Sequence, residues 1–357
     1  MEFAQPGHTW VMKRASLVPE FTVPTPEQLP ERWPGREVEL DGSVAFVRDT
    51  PSGRPGAEPA LYIHGLGGSS TNWTDLAGIL AARTDGVALD GQAIDLPGFG
   101  YSGRARSYSL DAMANHIIRW IEHSDRGPVH LLGNSMGGAA SVKAAAKRPD
   151  LVRTLTLISP AMPFLDPRRS LQGRVVPFLL LPNVTRLVGR RMAAMDPEEL
   201  AAMVIDSCYA DPTRYPEQRR LEAIEEARLR HQVPWYAEAY VGSLRGLVSS
   251  FLRAYLPGEG SIWRSAARIT APTLVIAGRQ DKLVDIRTAP QVARLIPDSR
   301  LMMLEGVGHV AQMEVPRSVA RAVFGLLDEV GAAGEPSVAV QVQGTVRSRV
   351  ARVRMAS

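Results

Sequence analysis

Short apolar runs alternate with amphipathic helical stretches along most of the chain. The runs are rich in β-branched residues, apolar throughout and bounded by Gly or Pro, which is typical of strands buried on both faces of a sheet. They lie at residues 60–63, 87–95, 129–132, 151–158, 273–277 and 301–304. Helical stretches at 74–83, 110–123, 136–147, 287–296 and 316–330 separate most of them. This alternation predicts a mostly parallel α/β sheet with right-handed crossovers.

The alternation is interrupted between residues 161 and 268. This segment contains helical patterns near 196–208 and 216–231 and an aromatic-rich stretch over 235–255, but no clear parallel-strand unit. The strand pattern resumes at residue 269. We therefore predict that 161–268 forms a largely helical cap inserted into an α/β core of residues 37–160 and 269–330.

The two ends of the chain differ from this core. Residues 1–36 are rich in proline and have no steady period, which predicts an extended arm packed on the surface. The core then opens with stretches at 37–40 and 44–48 that flank Asp41-Gly42, a strong hairpin signal. Residues 331–357 are dominated by Ala, Val and Arg and predict a flexible basic tail.

Composition limits the class of protein without deciding its activity. The chain has 357 residues, of which 45% are apolar and 22% charged, as in ordinary globular proteins. The net charge of +4 comes from arginines in the tail, so the sequence does not predict a nucleic-acid partner. One cysteine, Cys208, excludes an internal disulfide framework and a cysteine-rich metal site. The N-terminus has no apolar leader, so we expect a cytoplasmic protein. No metal and no cofactor are expected.

The stretch LLGNSMGGAA at 131–140 is the first candidate for chemistry. An apolar strand precedes it and a helix of small residues follows it, which is the setting of a nucleophile elbow. Such a turn strains the serine backbone and exposes its hydroxyl, and Gly133 and Gly137 leave room for the close backbone approach. We predict Ser135 as a nucleophile.

A serine nucleophile needs a base and an acid that orients the base. Of the seven histidines, we predict His309 as the base, because it lies in a loop just after the carboxyl end of the predicted strand at 301–304. His64 begins a glycine turn and is interpreted as structural. Asp281 and Asp285 both follow the strand at 273–277. We prefer Asp281 as the acid because it lies nearer the end of that strand.

The oxyanion formed during acyl transfer needs two hydrogen-bond donors. One is predicted to be the N–H of Met136, the residue after the nucleophile. The second is predicted in the glycine-rich loop at 64–68, with Leu66 N–H preferred and Gly65 as the alternative. This loop lacks the lysine of a P-loop and the spacing of a dinucleotide site.

Five ordered motifs then carry a family resemblance. They are HGLGGS at 64–69, DLPGFGYS at 95–102, GNSMGG at 133–138, GRQD at 278–281 and GVGH at 306–309. Together they resemble the α/β-hydrolase-fold serine hydrolases over about residues 37–330. The resemblance implies a mostly parallel eight-stranded sheet flanked by helices, an acyl-enzyme mechanism and a cap that shapes the acyl pocket.

The substrate class remains open between two branches of that family. The motifs are similar to monoacylglycerol lipases and carboxylesterases, and also to meta-cleavage-product hydrolases, which cut carbon–carbon bonds. The second branch usually has an HGGGPG-like loop and an aromatic residue after the histidine, whereas this chain has HGLGGS and Val310. We therefore favour an ester hydrolase acting on a lipid-like or small hydrophobic acyl substrate. A non-catalytic receptor is the third option, although such proteins usually lose a triad member.

The cap is the least determined part of the site. An apolar run at 175–181 with Leu187 and Val188, flanked by arginines at 186, 190 and 191, is consistent with an acyl mouth and transient contact with an anionic membrane surface, or with simple packing. Gly65, Trp235, Tyr236 and Val310 are predicted to line the substrate pocket, although aromatic residues of a cap more often serve its packing. The oligomeric state is not predicted.

Overall fold

A single nine-stranded sheet forms the centre of the protein. The computed structural model describes residues 13–164, 183–256 and 260–334. Within them the strands are β1 (Lys13–Arg14), β2 (Gly35–Leu40), β3 (Ser43–Thr50), β4 (Glu58–Ile63), β5 (Leu89–Asp95), β6 (Val129–Asn134), β7 (Val152–Ile158), β8 (Thr273–Gly278) and β9 (Ser299–Leu304). Their order is β1-β9-β8-β7-β6-β4-β5-β3-β2.

Seven of these strands run parallel to their neighbours. Each neighbouring pair in the series β1-β9-β8-β7-β6-β4-β5 is parallel, whereas β3 pairs antiparallel with both β5 and β2. The predicted mostly parallel α/β sheet is therefore confirmed. The expected eight strands are β2 to β9, and the ninth, β1, is a two-residue piece of the N-terminal arm that pairs with the edge strand β9.

Eleven α-helices lie in the described residues. They are α1 (Thr74–Ala81), α2 (Leu110–Ser124), α3 (Met136–Lys147), α4 (Val184–Ala194), α5 (Pro197–Cys208), α6 (Glu217–Gln232), α7 (Tyr236–Ala254), α8 (Ile262–Ala267), α9 (Thr288–Leu295), α10 (Ala311–Glu314) and α11 (Pro316–Gly334). Helices α2, α3, α8 and α9 pack on one face of the sheet, and α1 and α11 pack on the other.

The core consists of two apolar layers on the two faces of this sheet. Successive residues of a strand point to opposite faces, so Leu131 joins the layer under α2 and α3, and Leu132 joins the layer under α1 and α11. Val275 and Ile276 divide in the same way. Both faces are covered, which explains why these strands have continuous apolar runs rather than alternating ones.

The hairpin predicted at Asp41-Gly42 joins β2 to β3. Asp41 has φ 52° and Gly42 has φ 74°, the left-handed pair that a two-residue hairpin turn requires. Leu40 pairs directly with Ser43 across this turn.

The N-terminal arm ties the core to the cap. Trp33 Nε1 donates to the carbonyl of Thr74 in α1 at 3.0 Å. On the cap side, Arg219 in α6 donates to the carbonyl of Pro30 at 2.6 Å. Farther back along the arm, Arg317 in α11 donates to the carbonyl of Pro24 at 3.0 Å. The arm therefore holds α6 against the core through backbone carbonyls.

The described part of the cap, residues 161–164, 183–256 and 260–268, contains helices and no strand. Helices α5 and α6 correspond to the two predicted patterns. Sequence analysis did not predict α4, nor that the aromatic stretch after residue 235 is one continuous helix, α7. The apolar run at 175–181 lies outside the described residues. The same holds for the predicted tail beyond residue 334, whereas its first four residues belong to α11.

Two residues predicted to belong to an acyl mouth, Leu187 and Val188, lie in helix α4 and have different surroundings. Val188 packs beside the small buried cluster of Val184, Val241 and Leu244, whereas Leu187 is 62% exposed. Throughout the described ranges, no helix combines the length and apolar character needed to cross a membrane.

Candidate active site

Ser135 lies at a strained turn between β6 and α3. Its backbone has φ 54° and ψ −119°, a conformation that costs free energy for any residue other than glycine. Two hydrogen bonds hold the turn: Ser135 N–H donates to the carbonyl of Ile158 at 3.0 Å, and Ala161 N–H donates to the carbonyl of Ser135 at 2.9 Å. The end of β7 therefore stabilises the strained residue.

The two glycines of the motif are required by space. A Cβ at Gly133 would lie 2.8 Å from the carbonyl oxygen of Gly137. A Cβ at Gly137 would lie 2.4 Å from the carbonyl oxygen of His64 and 2.5 Å from that of Ile63. No side chain fits at either position, because the first turns of α3 crowd Gly133 and the end of β4 crowds Gly137.

Helix α3 begins immediately after Ser135, at Met136. The N–H groups in the first turn of a helix have no partner within that helix and carry its positive partial charge. On the other side of the serine is the loop at 64–68, where a Cβ at Gly65 would lie 3.0 Å from Ser135 Cβ. The first turn of α3 and the loop at 64–68 therefore both lie close to Ser135.

His309 and Asp281 form a buried hydrogen-bonded pair. The Nδ1 of His309 lies 2.8 Å from Oδ2 of Asp281, and the side chains are 4% and 2% exposed, respectively. The other carboxylate oxygen, Oδ1, accepts from the N–H groups of Leu283 at 2.8 Å and Val284 at 3.0 Å. The strand ends of β8 and β9 bring the pair together, as expected for parallel neighbours.

The Asp281 carboxylate remains ionised at neutral pH. Burial tends to raise its pKa, but His309 and the two backbone N–H groups outweigh burial, so the pKa lies below its usual value. A buried anion beside Nδ1 keeps the proton of the neutral imidazole on Nδ1 and leaves Nε2 free to accept one.

Asp285, the alternative acid, has another partner. Arg287 Nε lies 3.0 Å from each of its carboxylate oxygens. The structure therefore brings Asp281 to the histidine and directs Asp285 to an arginine.

Asn134 connects the serine turn to the histidine loop, a contact that sequence analysis missed. Its Nδ2 donates to the carbonyls of Ile158 and His309, at 3.1 Å in each case. The only local signal was its place beside Ser135, which does not reveal a partner 175 residues away.

His64 has a structural role, as interpreted from its glycine turn. Its Nε2 accepts from Leu96 N–H at 2.8 Å, and Nδ1 donates to the carbonyl of Gly65 at 2.7 Å. Burial lowers the pKa of this histidine to about 4, so it remains neutral while it links the loop at 64–68 to the end of β5.

A cleft of about 910 Å³, including its open mouth, lies between the core and the cap. Ser135 and His309 both line it, together with Gly65, Leu66 and Val310. Helix α5 and nearby loops supply an apolar wall: Ala201, Val204, Ile205, Leu283, Val310 and Met313. Helix α6 and the loop after β4 supply a polar wall: Thr71, Asn72, Arg219, Glu222, Glu226 and Arg230.

Trp235 and Tyr236 do not line this cleft. Trp235 is half-buried at the start of α7. Tyr236 is buried and borders a smaller cavity behind Gly68. Of the four predicted pocket residues, the structure therefore brings Gly65 and Val310 to the serine and leaves both aromatic residues elsewhere.

Comparison with known proteins places this geometry in a family. The model of a family described as "alpha/beta hydrolase fold" matches residues 59–316. The chain belongs to the α/β-hydrolase-fold family. Its likeness to human monoacylglycerol lipase ABHD6 is 28% identity over 294 residues, covering 78% of each chain.

Solved structures agree with this α/β-hydrolase fold. A putative lipase from Acinetobacter baumannii superposes with a TM-score of 0.69 at 21% identity, over 85% of this chain and 93% of that one. A meta-cleavage product hydrolase, CumD, gives a TM-score of 0.63 at 19% identity, over 83% and 98%. The protein is therefore a hydrolase of this fold, as predicted. Among the described residues, no group of three or more His, Cys, Asp or Glu is arranged to hold a metal ion.

Proposed function

We propose that this α/β-hydrolase cleaves carboxylic esters with lipid-like acyl chains through an acyl-enzyme, with Ser135 as nucleophile, His309 as base and Asp281 as orienting acid. The observation that carries the proposal is the 2.8 Å contact between His309 Nδ1 and Asp281, in the same cleft as a serine at positive φ. The chain order Ser…Asp…His is the order of this fold.

The proposed reaction has two halves. His309 Nε2 takes the Ser135 proton as Oγ attacks the ester carbonyl carbon, and Asp281 stabilises the imidazolium. The carbon–oxygen bond to the alcohol then breaks, and His309 returns the proton to the departing alkoxide. In the second half, His309 deprotonates water, which attacks the acyl carbon; the acid leaves and Ser135 regains its proton.

The N–H groups of Met136 and Leu66 are proposed as the oxyanion donors. Met136 is the first residue of α3, and Leu66 is in the loop against Ser135. Fixed donors of this type stabilise the tetrahedral intermediate by about 3–4 kcal/mol each.

The two walls of the cleft support a monoester with one apolar and one polar end. The apolar wall along α5 suits an acyl chain, because its side chains have no polar atoms to leave unpaired. On the polar wall, Glu226 accepts from the Ser69 hydroxyl at 2.7 Å and lies 3.6 Å from Arg230. Charged and hydroxyl groups there suit a hydroxylated alcohol. A monoacylglycerol has both ends, which agrees with the likeness to ABHD6.

A comparison of turnover on three kinds of substrate tests this proposal. We expect turnover of p-nitrophenyl esters and of monoacylglycerols, with no cleavage of a ring-fission dienoate, the substrate type of the alternative carbon–carbon hydrolase. Dienoate cleavage that exceeds ester turnover would reverse the assignment. Turnover of neither substrate by folded protein would favour a non-catalytic member of the family.

A further inference from the structure

Glu314, at the end of α10, is a buried carboxylate that the proposed reaction does not use. Its side chain is 0% exposed. Within the described residues its ion-pair partner is Arg214, whose NH1 is 3.5 Å from Oε1 and whose side chain is 44% exposed. Burying a carboxylate costs free energy unless hydrogen bonds replace its water, so its partners indicate its purpose.

Those partners belong to two parts of the chain. Oε2 accepts from Gly308 N–H at 2.7 Å, immediately before His309. The same carboxylate accepts from Ala210 N–H and Asp211 N–H, each at 3.3 Å. Ala210 and Asp211 lie in the cap segment, which we define as residues 208–214, from the last residue of α5 into the connection to α6.

Two more hydrogen bonds join the cap segment to the histidine loop, which we define as residues 306–309. His309 N–H donates to the carbonyl of Cys208 at 2.7 Å. Arg214 NH1 donates to the carbonyl of Gly306 at 2.8 Å. The two backbones approach so closely that a Cβ at Gly308 would lie 2.3 Å from the Cys208 carbonyl oxygen.

We propose that Glu314 is a positioning residue that fastens the cap segment to the histidine loop, so that this end of the cap holds His309 in place and stays docked during turnover. This inference rests on the proposed function, because it assigns the purpose of the contact to the alignment of His309 with Ser135.

The negative charge is required for this arrangement. Hydrogen bonds to an ionised acceptor are about twice as strong as neutral ones, and here one carboxylate serves three N–H donors. Glutamine at 314 would turn one acceptor oxygen into an NH₂ facing a backbone N–H. At least one buried donor then loses its partner, and the histidine loop can shift. A displacement of about 1 Å at a catalytic group costs up to about 100-fold in rate.

The test compares Glu314→Gln and Glu314→Asp with Glu305→Gln. Glu305 is the matched control because it is next to the same loop, is 74% exposed and contacts Arg279 at 2.5 Å rather than the cap. For each variant we would measure kcat and KM on p-nitrophenyl acetate, the rate of Ser135 labelling by a fluorophosphonate, and Tm.

We expect Glu314→Gln to lower kcat and the labelling rate together by about 10- to 100-fold. KM for the small acetate should change less than about two-fold, since Glu314 does not line the cleft. Glu314→Asp, which keeps the charge but is shorter, should recover part of the loss, and Glu305→Gln should match wild type. Hydrogen exchange of residues 208–214 and 306–309 should accelerate in Glu314→Gln only.

Three outcomes would overturn the inference. One is a folded Glu314→Gln protein with wild-type kcat and labelling rate, while wild type itself labels at Ser135; the proposed function then stands and the positioning role fails. Another is faster exchange without a kinetic change, which reduces Glu314 to a stability role. The third is wild type that never labels, which removes the proposed function and this inference with it. If Glu314→Gln does not fold, Arg214→Gln replaces it, with a smaller loss of kcat expected.

Discussion

Replacing Asp281 by asparagine changes one carboxylate oxygen of the proposed catalytic centre into an amide nitrogen. The asparagine Oδ1 can still accept from Leu283 and Val284 N–H, so the loop geometry should survive. The other position, 2.8 Å from His309 Nδ1, becomes an NH₂ donor if the amide keeps that orientation. A donor there forces Nδ1 to become the acceptor and moves the imidazole proton to Nε2.

The rate consequence is large because Nε2 must accept the serine proton. With the tautomer reversed and no anion beside the imidazolium, the expected loss in kcat is about 10³- to 10⁴-fold. Each factor of ten corresponds to about 1.4 kcal/mol, so the loss is about 4–5.5 kcal/mol of transition-state stabilisation. Fold stability should change much less, since the two backbone hydrogen bonds remain.

The assay is steady-state hydrolysis of p-nitrophenyl butyrate at one fixed pH, with Tm measured on the same preparations. Asp285→Asn is the matched control, because that carboxylate is bound by Arg287 rather than by the histidine. We expect it to keep kcat within a few-fold of wild type. A larger loss for Asp285→Asn than for Asp281→Asn, or a loss below about 100-fold for Asp281→Asn, would refute the assignment of the acid.

Three further predictions concern the turn, a buried acid and the cleft. Gly137→Ala should abolish soluble folded protein, because its Cβ would lie 2.4 Å from the His64 carbonyl oxygen; a thermal melt resembling wild type would contradict this. Burial raises the pKa of Asp95 from 3.8 to about 6. The folded protein therefore binds this proton more tightly than the unfolded chain does, and this contribution to the free energy of unfolding is lost as pH rises from about 4 to 6. Relative to wild type, Asp95→Asn should therefore gain about 2–3 kcal/mol in urea unfolding between about pH 4 and pH 7, and a constant difference would be contrary to expectation. Val204→Phe should reduce kcat/KM for p-nitrophenyl octanoate at least about five-fold more than for the acetate, unless the acyl chain avoids the apolar wall.

The sheet could be predicted because its strands leave a local pattern. Strands buried on both faces must be apolar throughout, so β4 to β9 could be predicted. The hairpin turn at Asp41-Gly42 could be predicted because it needs residues that tolerate positive φ. Strand β1 was not, since two residues of an arm have no period. Asp281 could be preferred over Asp285 by its distance from the end of β8, and the structure directs Asp285 to Arg287 instead of the histidine.

Helix α7 was missed for a physical reason. It contains Gly242 and Gly246, which lower helix propensity, and both lie against the Tyr108 segment. A Cβ at Gly242 would be 2.8 Å from the Tyr108 ring, and one at Gly246 would be 2.6 Å from the Tyr108 carbonyl oxygen. Tertiary packing therefore requires glycine at two positions where glycine weakens the helical pattern of the sequence. The directions of Trp235 and Tyr236 depend on how α7 docks on the core, which no short pattern encodes.

The polar contacts of the site were also beyond local patterns. Asn134 bonds to the backbone of His309, and Glu314 bonds to the cap about 100 residues earlier in the chain. Both side chains form hydrogen bonds with backbone groups, which every residue has, so the sequence does not indicate which residues are their partners.

The identity of the nucleophile is tested most directly by intact-mass and peptide analysis after exposure to a fluorophosphonate. We predict one covalent adduct, on Ser135, accompanied by complete loss of ester hydrolysis. Ser135→Ala should remain folded, unlabelled and inactive, with at least a roughly 10⁴-fold lower kcat. An adduct on another residue, or esterase activity that survives in Ser135→Ala within about 100-fold of wild type, would contradict the central claim.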